Sequence, residues 1–158
     1  MQIGASLGYV ASLQLHGDQV SELTLAPASL GVGGFVSDRV ALFARLSASV
    51  FEYSPSGSGS EYSRITSQTT RMIFLGVTAQ TWARHSLALE GGLGLATLGN
   101  GPVESRMNRG LGVPVRVLWA MAQPGNSALA LTWELLPAFF SGGELTVATT
   151  FGVQWQWY

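Results

Sequence analysis

Four charged residues stand within hydrophobic segments in which apolar residues alternate with small or polar ones. They are Arg45, Glu90, Arg116 and Glu134. Buried charges are tolerated when they are paired, and two basic and two acidic residues can neutralise one another. We predict that Glu90 lies opposite Arg116, and that Arg116 lies opposite Glu134 on the next strand. We expect Arg45 to complete this network from the opposite side of the protein interior. The network would then be either a fixed plug or a gate that opens when the ion-pair partners exchange.

Residues suited to nucleophilic or metal chemistry are few. There is no Cys, and the two histidines, His16 and His85, are too far apart in the chain to suggest a metal site. His16 stands near Asp18, Ser21 and Glu22, which could supply a His/acid pair. Close spacing in a polar segment is more typical of a turn, and we place these residues in the first long loop. We therefore predict no catalytic residue, no metal and no cofactor.

The segments that carry the four charges have a period of two. In the opening segment one face carries Ile3, Ala5, Leu7, Tyr9, Ala11, Leu13 and Leu15, and the other carries Gln2, Gly4, Ser6, Gly8, Ser12 and Gln14. Strict alternation predicts a β-strand, because a helix repeats every three or four residues and tolerates glycines poorly.

The same alternation recurs along the chain and predicts eight strands. The later strands begin near Leu30, Val40, Met72, Leu87, Gly110, Ala128 and Leu145. Long connections alternate with short turns, and the polar stretch 16–27 is predicted as the first long loop. The long loops therefore share one end of the structure and the short turns share the other. Eight antiparallel strands close into an up-and-down barrel, which removes the exposed sheet edges.

Composition narrows the class of protein. The chain has 158 residues, enough for one domain over 1–158, with 47% hydrophobic and only 11% charged residues. Soluble domains carry about 25% charged residues, so this chain lacks the charge expected of an ordinary water-facing surface. No apolar run approaches the roughly 18 residues of a membrane helix.

All eight basic residues are Arg, scattered without a basic patch, so we expect no nucleic-acid partner. No signal-peptide pattern precedes the first strand, and we expect a mature form.

The two faces of the strands indicate which side points outward. The apolar face carries more large residues than an eight-stranded interior can hold, whereas the other face is mainly small or polar. All four strand-borne charges fall on the small, polar face. We therefore predict a transmembrane barrel with apolar residues towards lipid. An aromatic girdle is expected near the short turns, and its residues are Trp82, Trp119, Trp155 and Trp157.

This pattern resembles the eight-stranded bacterial outer-membrane barrels, such as the OmpA transmembrane domain and OmpX. The resemblance covers the full chain and is one of architecture. It implies a monomer in the outer membrane, with short turns and both termini in the periplasm and four long loops outside. It also implies contact with outer-membrane lipid or lipopolysaccharide, and with the barrel-assembly machinery.

The sequence leaves the function open among several alternatives. We expect a structural, anchoring or surface-interaction role, without catalysis, for a barrel whose lumen is plugged by the charge network. A narrow ion-conducting barrel, a lipid-modifying enzyme such as the resemblance admits, and a soluble ligand-binding barrel are the alternatives.

Overall fold

A computed structural model describes residues 1–13, 19–53, 68–100, 108–141, 143 and 145–157. Side chains are described for 1–4, 29–50, 71–99 and, with the same gaps, from 108 onward. The strands are β1 (Gln2–Leu13), β2 (Gln19–Ser37), β3 (Val40–Tyr53), β4 (Gln68–Arg84), β5 (Leu87–Asn100), β6 (Asn108–Gly112), β7 (Val115–Ala122), β8 (Ser127–Phe140) and β9 (Leu145–Trp157). In the part of the chain described, no helix is long and apolar enough to cross a membrane.

The strands form one closed antiparallel sheet. Apart from β6 and β7, each strand pairs with its neighbours in the chain, and β1 pairs with β9, which closes a ring of eight positions. β6 and β7 share one position, because both pair with β5 on one side and with β8 on the other. The predicted all-β, eight-stranded up-and-down barrel is confirmed.

The predicted sixth strand is divided at Val113 and Pro114. Proline lacks the N–H that a strand needs at every paired position. Hydrogen bonds nevertheless cross the gap to both sides: Gly92 donates to the Pro114 carbonyl at 3.1 Å, and Val113 donates to the Pro137 carbonyl at 2.9 Å. The wall of the barrel therefore stays closed at the interruption.

The prediction of a long loop over 16–27 is wrong for most of its length. β2 begins at Gln19 and pairs with β1 up to Leu13. β1 must be paired on both sides in a closed barrel, and the first half of β2 supplies the second partner. Ser21 and Glu22 therefore lie in a strand, opposite Ala11 and Val10. His16 and Asp18 lie outside the described residues.

The outer surface of the barrel is apolar. Large hydrophobic side chains are exposed around its described circumference, including Leu30, Val32, Leu42, Leu46, Leu75, Val77, Leu89, Leu93, Leu95, Leu111, Val115, Leu131, Phe139, Phe151 and Val153. The alternate positions are buried, and they are small, polar or charged or belong to a few large apolar residues. A soluble barrel has the opposite arrangement, so the sidedness is that of a barrel that lies in lipid.

Candidate functional site in the barrel interior

Strand register brings the four charged residues to one level of the interior. On β5, Glu90 lies opposite Arg116 of β7. Arg116 in turn lies opposite Glu134 of β8. Arg45 projects from β3, and its guanidinium reaches the carboxylates of both β5 and β8. The alternation of the strands places all four side chains inside, where they are buried.

The four side chains form a closed ring of ion pairs. Arg45 lies 2.7 Å from a carboxylate oxygen of Glu90 and 2.9 Å from one of Glu134. Arg116 lies 3.1 Å from the other Glu90 oxygen and 2.9 Å from Glu134. The Glu90 side chain is 0% exposed and that of Glu134 is 11% exposed. The ring is electrically neutral, so no uncompensated charge remains in it.

Neutral groups extend the hydrogen bonding of the two arginines. Arg45 donates to Ser47 Oγ at 3.0 Å and to Ser29 Oγ at 2.7 Å. Arg116 donates from Nη2 to Gln154 Oε1 at 2.7 Å. Its Nε is close to Glu134 but is not aligned for a hydrogen bond, so that contact is an ion pair alone. These bonds connect the ring to β2 and β9 as well.

A group of buried amide side chains lies beside the charged ring. Gln2 donates to the Gln80 side chain at 2.6 Å, and Gln80 donates to Gln156 at 3.4 Å. These contacts join β1, β4 and β9 across the interior. No role was predicted for these residues from the sequence. These glutamines fall on the same small, polar strand face as the four charged residues. That position could have identified them, because glutamine on such a face is a candidate for hydrogen bonding in the lumen.

A cluster of apolar side chains, here called the apolar plug, fills the interior towards the long-loop end. It contains Met72, Phe74, Ala96, Leu136, Ala138, Phe140 and Ala148. Phe140 is the last residue of β8, next to the 141–144 connection, which locates the plug. The lumen is therefore filled by apolar side chains as well as by charges. Phe140 is 5% exposed although it stands at the end of its strand.

The four predicted girdle residues do not share one environment. Trp119 and Trp157 lie on the outer surface near the short turns, 57% and 44% exposed. Trp155 lies beside Trp157, with ring centroids 6.0 Å apart. Trp82 is different, because it packs against a buried cluster of Ala88, Leu118 and Ala130. It lies opposite the buried Ala88 and faces inward, so its assignment to the girdle is wrong.

Of the two histidines, His85 lies away from this interior site, and His16 lies outside the described residues. His85 lies in the turn between β4 and β5, where its carbonyl accepts a hydrogen bond from Gln123 Nε2 at 2.6 Å. Within the described ranges, no group of three His, Asp or Glu residues could hold a metal ion. The interior arrangement is suited to joining strands and neutralising charge, since each carboxylate is held by two guanidiniums.

Comparisons with known proteins place the fold in a known class. A crystal structure of Neisserial surface protein A (NspA) matches with a TM-score of 0.61 and 14% identity, over 97% of this chain and 94% of that chain. Ail, the attachment invasion locus protein of Yersinia pestis, crystallised with the heparin analogue sucrose octasulfate, matches with a TM-score of 0.56 and 14% identity, over 98% of this chain and 97% of that one. No protein-family model matches the sequence, and no curated protein does either.

The chain has the fold of the eight-stranded outer-membrane β-barrels of the OmpA and OmpX class. The architectural resemblance drawn from the sequence is confirmed at the level of the fold. An apolar exterior around a closed ring of strands is the arrangement of a β-barrel that spans a membrane.

Proposed function

We propose that this protein is a sealed integral outer-membrane barrel that anchors and presents its long-loop end at the cell surface, without catalysis. The observation that carries the proposal is the distribution of side chains: apolar residues cover the outside, while a neutral charge ring and an apolar plug fill the inside. Such a barrel is stable in lipid and offers no wide path through its centre.

The interior supports a sealed barrel over an ion-conducting one. Phe74 is fully buried within the plug, and Met72 is 1% exposed. Below them, Arg45 and Arg116 each contact both carboxylates, so the cross-section is spanned by ion pairs. An ion that crosses the lumen would have to break these pairs and displace packed apolar groups, both of which are costly.

A planar-bilayer recording tests the sealed lumen. We expect the reconstituted wild-type protein to show no stable open level above the bare bilayer. A variant that opens the plug, Phe74→Gly with Met72→Ala, serves as the matched comparison because it leaves the charge ring unchanged. A stable conductance in the wild type that changes with Glu90→Gln would contradict the proposal and favour the narrow ion-conducting barrel.

The structural neighbours support a surface-interaction role for the long-loop end. Ail, named the attachment invasion locus protein, was crystallised with a heparin analogue, and NspA is named a surface protein. The strand ends that flank 14–18, 54–67, 101–107 and 141–144 lie at one end of the barrel, and the turns at 38–39, 85–86 and 123–126 lie at the other. The first end carries the two longest connections, 54–67 and 101–107, and is therefore the part of the chain that a partner outside the cell would meet.

Epitope insertion tests this orientation. A short epitope placed within 54–67 should bind antibody on intact cells, whereas the same epitope at the turn 123–126 should bind only after the outer membrane is permeabilised. Equal labelling of both insertions on intact cells would contradict the proposed orientation.

The lipid-modifying alternative has a separate test. It rests on His16, so lipid turnover that is present in the wild type and lost in His16→Ala would overturn the non-catalytic proposal.

A further inference from the structure

A concave pocket opens at the short-turn end of the barrel. Its volume is about 580 Å³, and its walls come from the β2–β3, β4–β5 and β7–β8 turns. Its lining includes Phe35, Arg39, Trp82, Arg84, His85 and Gln123. Pockets of roughly 300–1,000 Å³ are typical of small-molecule sites. The size therefore suits a head group rather than a macromolecular surface.

The pocket is closed on the side that faces the lumen, and hydrogen bonds connect the turns that form its walls. Trp82 packs against Ala88 and Leu118, which block the way further into the lumen. The Trp82 backbone N–H donates to the Arg39 carbonyl at 3.1 Å, which joins two of the turns. Gln123 donates to the His85 carbonyl at 2.6 Å and joins the third. The shape is thus held by hydrogen bonds between turns that are distant in sequence.

The charges of the pocket favour an anion. Arg39 and Arg84 both line it, and neither guanidinium makes a hydrogen bond or an ion pair with another residue that the structure describes. Asp38 is the one acidic residue in the lining, so the pocket carries a net positive charge. The interior ring is neutral and does not offset that charge. Guanidinium groups bind phosphate in a bidentate geometry, which gives both strength and orientation.

The surroundings indicate that the anion belongs to a lipid. A second, shallower concavity of about 560 Å³ shares Phe35 and Asp38 with the pocket and continues to Val36. Val36 is 63% exposed. Trp119 and Trp157 mark the membrane boundary at this same end, because they lie beside the short turns. A path therefore runs from the charged pocket, over the β2–β3 turn, to the apolar exterior.

We propose that this pocket binds the head group of an anionic phospholipid from the leaflet at the short-turn end. The phosphate pairs with Arg39 and Arg84, and the glycerol and the start of the acyl chains pass over Phe35 towards Val36. This proposal rests on the membrane location proposed above.

The test is a lipid titration of the protein refolded in micelles of a neutral detergent. The probes are dihexanoyl phosphatidylglycerol, dihexanoyl phosphatidylcholine and inorganic phosphate, followed by NMR shifts of the arginine Nε–H and tryptophan indole signals. The pocket variant is Arg39→Gln/Arg84→Gln. The matched control is Arg71→Gln/Arg109→Gln, which removes the same charge from two exposed residues at the long-loop end.

We expect phosphatidylglycerol to bind about tenfold more tightly than phosphatidylcholine, and to lose about tenfold in affinity in the pocket variant but not in the control. Equal affinity for the two lipids, or equal loss in the two variants, would overturn the proposal. Binding of inorganic phosphate as tightly as phosphatidylglycerol would also overturn it, since the site would then take a free anion. If the protein folds only with detergent, each of these failures overturns the lipid pocket alone and leaves the proposed membrane barrel intact. If the protein folds without detergent, both the membrane barrel and the lipid pocket are overturned.

Discussion

Removal of Arg116 should expose the energetic role of the charge ring. In the wild type its guanidinium contacts Glu90 at 3.1 Å and Glu134 at 2.9 Å, and it also donates to Gln154. Arg116→Ala leaves two buried carboxylates with Arg45 as their single guanidinium partner in the ring. Because one buried negative charge is then uncompensated, we expect the free energy of unfolding to fall by about 3–5 kcal/mol.

A double-mutant cycle isolates the contact with Glu90. Glu90→Ala alone leaves an excess positive charge, whereas Arg116→Ala/Glu90→Ala leaves the neutral Arg45–Glu134 pair. The double variant should therefore cost about 1.5–3 kcal/mol less than the sum of the two single variants, since a hydrogen bond between charged groups joins them.

Urea unfolding in detergent micelles, followed by tryptophan fluorescence, measures these differences. The matched control is Arg109→Ala, because Arg109 is exposed on β6 and should change stability by no more than about 0.5 kcal/mol. A loss below about 1 kcal/mol in Arg116→Ala, or a coupling near zero, would refute the assignment of the ring as a stabilising network.

Four further substitutions test the wall and the filling of the barrel. Leu75→Arg, on the outer surface at the level of the charge ring, should cost about 2–4 kcal/mol in liposomes, and a cost near zero would contradict a lipid-facing position. Phe74→Ala should lower the free energy of unfolding in urea by about 3–5 kcal/mol, because it leaves a cavity in the plug. Leu75→Ala should lower it by less, because lipid fills the space. The reverse order would show that the two strand faces are exchanged. Gly112→Leu should lower the folded fraction seen on gels of unheated samples, because even a Cβ atom at position 112 would lie 2.8 Å from the Phe74 ring. An unchanged folded fraction would show that the plug is loosely packed.

Sequence alternation determines much of this fold, because it has a direct structural cause. Successive side chains of a strand point to opposite faces, so the parity of Glu90, Arg116 and Glu134 places them on one side of the sheet. The turns after β4 and β7 are short, and a short turn fixes which residues of the two strands face each other. The pairing of Arg116 with Glu134 across the β7–β8 turn could therefore be predicted from residue counts.

The features that were predicted wrongly depend on non-local contacts. The strand over Gln19–Ala26 is polar at its start, and its pairing with β1 is a requirement of ring closure that local sequence does not display. Trp82 has the parity of the lumen, but a tryptophan near a short turn is also typical of a girdle; only its contact with Leu118 distinguishes the two. The amide contacts of Gln80 join strands that are distant in the chain, so spacing could not predict them.

The most direct test of the account is far-UV circular dichroism after dilution of the denatured protein into buffer, with and without detergent micelles. The structure exposes Leu75, Val77, Leu93 and Leu95 on the outer surface, which water does not solvate well. We expect a β-sheet signal and a clear solution only when micelles are present. A clear, monomeric solution with the same β-sheet signal in buffer alone would contradict the central claim that the apolar face of the barrel lies in lipid.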